Sequence, residues 1–98
     1  MDCSQLESIG VNAYRKGDYD QAAAALKALV GKDPSKWQGK LYLAMCYSQL
    51  GRLANAIQEF RDISEWCPDQ ELRDKATVAL RAMNHISSQK IQVQKRQN

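Results

Sequence analysis

Apolar residues recur along this chain at spacings of three and four, the period of a helix with one buried face. Leu6, Ile9, Ala13 and Tyr14 form one such stripe, and Ala22, Ala25, Leu26 and Leu29 form the next. Leu43, Ala44 and Tyr47 make a third, and Leu53, Ile57, Phe60 and Ile63 a fourth. Leu72, Ala76, Ala79, Leu80, Met83 and Ile86 complete a fifth. The pattern predicts helices over about 3–16, 19–31, 36–50, 53–66 and 70–86.

The breaks between these stripes repeat. Gly17, Ala22 and Pro34 recur as Gly51, Ala56 and Pro68, each 34 positions further on. A glycine just past a helix supplies the left-handed turn that other residues adopt only at a cost. Ala22 and Ala56 fall early in the following helices, where a methyl group lets a neighbouring helix approach closely. Pro34 and Pro68 lack an amide donor and disfavour a helical residue before them, so they read as stops. Asp18 and Asn55 are candidate N-caps for the second helix of each pair. The chain therefore reads as two helical hairpins followed by a single amphipathic helix. That last helix lacks a glycine turn, a partner helix and a closing proline, as expected of a cap on the open apolar face of a short array.

These features resemble the tetratricopeptide repeat family of 34-residue helix–turn–helix units. The resemblance rests on Ile9-Gly10, Tyr14, Gly17-Asp-Tyr-Asp-Gln-Ala22, Leu26 and Asp33-Pro34 in the first unit. In the second it rests on Leu43-Ala44, Tyr47, Gly51, Ala56, Phe60 and Pro68. The chain departs from the family pattern at Leu6 and Lys40, where an aromatic is usual, and at Leu29 and Ile63, where a small residue is usual. The implied fold is all-α: two repeats over about 3–36 and 37–70 and a capping helix over about 70–86, wound as a right-handed superhelical array. One domain then covers 1–86, and residues 87–98 form a polar, basic tail, either without fixed structure or as an extension of the last helix.

The resemblance also implies a site. Such repeats present the first helix of each unit to a concave groove that holds a peptide or helix of a partner protein. By the family's spacing the groove residues are Ser4, Glu7, Val11 and Arg15 on the first unit, and Gln38, Leu41, Met45 and Gln49 on the second. Val11, Leu41 and Met45 are then the apolar contacts, with Glu7, Arg15 and Gln49 setting specificity. The run Leu41–Tyr47 is apolar all round its helix, which calls for cover on more than one side. Either neighbouring helices supply that cover, or a partner's apolar anchor does. The lysine and asparagines with which some family members grip a chaperone's terminal carboxylate correspond here to Glu7, Val11 and Met45, with Arg73 or Lys75 as candidates on the last helix, so that clamp is mostly absent.

Composition narrows the function. Of 98 residues, 44% are hydrophobic and 26% charged, so the chain is expected to fold as one globular domain. The longest apolar run, Leu41 to Tyr47, is far short of the roughly 20 residues that span a bilayer. Neither a signal nor a transit peptide is expected at the N-terminus, which points to a cytoplasmic location. The net charge of +3 resides entirely in residues 69–98, too few charges and without the aromatics expected of nucleic-acid binding. Cys3, Cys46 and Cys67 are widely spaced and joined by a single histidine, His85, so no metal site is expected. Cys46 reads as a buried hydrophobe, whereas Cys3 and Cys67 lie near helix ends as candidate exposed thiols. With no phosphate loop and no serine beside a base, no enzyme and no cofactor are expected. Three readings follow: a protein-binding adaptor or scaffold, a small secretion-type chaperone for an amphipathic helix, and a self-assembling module forming a homo-oligomer.

Overall fold

The computed structural model describes the backbone of residues 2–97 and the side chains of residues 2–83. It contains five helices, α1 (Cys3–Lys16), α2 (Tyr19–Lys32), α3 (Trp37–Gln49), α4 (Leu53–Trp66) and α5 (Gln70–Gln97). The first four match the expected spans to within a residue at each end. The fifth begins where expected and its backbone runs on to Gln97, past the expected end near residue 86. No glycine or proline after residue 69 interrupts it. The side chains of His85, Ile86 and the basic tail lie outside the described residues.

Local chemistry sets the helix ends. Asp2 and Gln5 form a reciprocal capping box at the start of α1, each side chain accepting from the other's backbone N–H. Asp18 caps α2 by accepting from the Gln21 amide. Asn55 does not play this part for α4: the N-cap is Arg52, and Asn55 lies inside the helix. The two turns close the same way. Gly17 and Gly51 sit in the left-handed region at φ 83° and 77°, and the amides of Asp18 and Arg52 reach back to the carbonyls of Ala13 and Tyr47 at 2.9 Å. Asp18→Ala should cost about 1 kcal/mol in a urea melt, the usual worth of an N-cap.

Each helix packs on the next in the chain, and α3 also meets α1 and α5. The Cα traces of α2 and α4 do not approach one another. Because the first helices of the units crowd together and the second helices do not, the array bends towards the α1, α3 and α5 side, which is its concave face. The core runs through all five helices, with Ala22, Leu26, Leu29, Ala44, Cys46, Ala56, Ile63 and Ala76 wholly enclosed.

α3 sits in the middle of this packing, and that settles its all-round apolar sequence. Leu41, Leu43, Ala44, Cys46 and Tyr47 are buried by neighbouring helices. The expectation that Leu41 lines the groove is thereby corrected: it is 6% exposed and belongs to the core. Cys67 is corrected as well. It is buried at 2% exposure as a member of the core, and the Arg73 guanidinium donates to its carbonyl at 2.7 Å. Cys46 is buried as expected, and burial pushes its thiol up to about 11. Under native conditions a thiol reagent at neutral pH should therefore modify Cys3 alone, with all three cysteines reacting in denaturant, as intact mass would show.

At Lys40, where the family pattern has an aromatic, the structure holds α3 to α4 by charge. The Lys40 ammonium lies 2.8 Å from Glu59 and 3.4 Å from Asp62 and is largely enclosed. Burial lowers the affinity of Lys40 for its proton, but the hydrogen bond to Glu59 and the two negative charges more than reverse this, leaving it above its usual 10.5. A raised folded-state value means that the stabilisation is complete below pH 10.5 and is lost as pH climbs through the higher folded value. Lys40→Met should abolish that alkaline component of unfolding, read as stability against pH from 9 to 12.

Candidate concave binding cleft

On the concave face a cleft of about 260 Å³ opens between α1, α3 and α5. Tyr14 contributes from α1, Met45, Ser48 and Gln49 from α3, Phe60 from α4 beneath, and Ala79, Ala82 and Met83 from α5. Alanines at positions 79 and 82 leave the space, being one helical turn apart and too small to fill it. Met45 and Met83 bring flexible thioether side chains that adapt to an irregular apolar guest.

Tyr14 is fixed by other aromatics. Its ring stands edge-on to Tyr19 at 5.5 Å and to Tyr42 at 5.3 Å. Burial, then the neighbouring Tyr19, Cys46 and Tyr42, raise its hydroxyl above the usual phenol value, so it serves as a neutral hydrogen-bond donor at ordinary pH. Ser48 and Gln49 add polar groups, and among the described residues no Asp, Glu, Lys or Arg lines the cleft. Such a lining accommodates an apolar side chain and a few hydrogen bonds. Among the described residues its lining holds no pair of groups for proton transfer or nucleophilic attack.

The groove residues expected from sequence divide into two sets. Met45 and Gln49 line the cleft. Glu7, Val11 and Arg15 instead share a more polar depression of about 300 Å³ along α1 with Ser4, Ser8 and Asn12. The two have no lining residue in common. Leu41 belongs to neither. Sequence reasoning missed Tyr14, Ala79, Ala82 and Met83 as cleft residues. Ala79 and Met83 were visible as a stripe, but the register of α5 against α3 follows from how α5 packs on α3 and α4, which the stripe alone does not give.

Among the described residues no cluster of three metal-binding side chains occurs, and no helix is long and apolar enough to cross a membrane. Paired antiparallel helices at a 34-residue interval, first helices inward and a final helix over the open end, define a helical-hairpin repeat protein. The chain belongs to the tetratricopeptide repeat family, which it matches over residues 8–69, well over half its length. Repeats of this family are generally protein–protein interaction modules. No curated protein and no solved structure matches the chain.

Proposed function

We propose that this protein is a non-catalytic adaptor or scaffold of a cytoplasmic-type compartment that holds a peptide or helix of a partner protein on its concave face. The observation that carries this reading is the cleft between α1, α3 and α5, without charged side chains among the described residues and with adaptable methionines on both of its walls. Met45 and Met83 receive an apolar anchor, and Tyr14, Ser48 and Gln49 orient it through hydrogen bonds. The depression bearing Glu7, Val11 and Arg15 extends the contact along α1 and favours particular flanking residues. A secreted subunit's amphipathic helix fits the same cleft, so a small chaperone is one form this activity takes.

Met45 is the residue to test, since it is half-buried at the cleft and outside the enclosed core. Met45→Glu should leave the helical circular dichroism intact and weaken capture of the partner from native-organism lysate at least tenfold, by placing an unpaired charge in an apolar site. Capture that survives this substitution unchanged rejects the cleft as the binding site.

A second reading, self-assembly, draws on Trp66 and Val78, which are 71% and 65% exposed on the last hairpin and the cap. Light-scattering mass over a concentration series decides it: a constant monomer mass excludes it, and a stable oligomer lost in Trp66→Ser supports it.

A further inference from the structure

We draw no further inference here: the strongest candidate, the surface patch at the open end of the array around Val78 of α5, exposed in the register where Gly10 of α1 receives Leu26 and Ala44 of α3 is wholly enclosed, carries no site because nothing in the structure shows what covers it.

Discussion

Leu29→Ala should lower stability by about 3–5 kcal/mol, enough to depress the melting temperature of a domain this size by roughly 15 °C or more. Leu29 has no exposed surface and joins the two hairpins. Its Cδ2 atom lies 2.7 Å from the point a Cβ would occupy at Gly39, so the side chain is seated directly on the α3 backbone. Truncation leaves a void between α2 and α3 that neither helix can fill without sliding the hairpins against each other. Small domains hold only about 5–15 kcal/mol in total, so this one change removes a large share. A urea melt followed by far-ultraviolet circular dichroism measures it, and a loss under 1 kcal/mol would mean that the hairpins do not meet there as described.

Gly10→Val should cost a further sizeable amount, about 2–3 kcal/mol, by the opposite mechanism. A Cβ at Gly10 would stand 2.6 Å from both Cγ and Cδ2 of Leu26, which is itself wholly enclosed. Cγ is the branching atom of that side chain, so no rotation of its end relieves the overlap, and α1 must move off α2. Valine, branched at Cβ, adds two methyl groups to this conflict. Gly10→Ala should be milder, since alanine returns up to about 1 kcal/mol in helix propensity against the same clash. If the account is right, Gly10→Val combined with Leu26→Ala is less destabilised than the sum of the two single changes. Simple additivity in the urea melts would show that Gly10 and Leu26 do not share a contact.

Both predictions concern spacings between helices, which a one-dimensional pattern does not display. Gly10 in the sequence is a helix-weakening residue inside an apolar stripe, and only the approach of Leu26 gives it a purpose. Leu41 is the converse case. Family spacing places it on the groove, but four other helices contact α3 and draw Leu41 into the core. Met45, one turn further along, keeps part of its surface because Ala79 and Ala82 of α5 are too short to cover it. The candidate cleft was therefore half legible: Met45 and Gln49 on α3 followed from spacing, while its α5 wall depended on the packing of α5 against α3 and α4.

What the sequence determined by itself was most of what depends on neighbours along the chain, the start of α4 excepted. Helix spans follow from a 3.6-residue apolar period, turns from Gly17 and Gly51, the α2 cap from Asp18, and the repeat from 34-residue spacing. These signals are local, since a hydrogen bond or a steric preference acts within four residues of its source. Tertiary structure alone decided which members of an apolar face are enclosed and which are left at a cleft, because burial depends on the side chains that arrive from other helices. It also decided that Tyr47 and Arg52, five residues apart, share a cavity with Lys27 from the preceding hairpin.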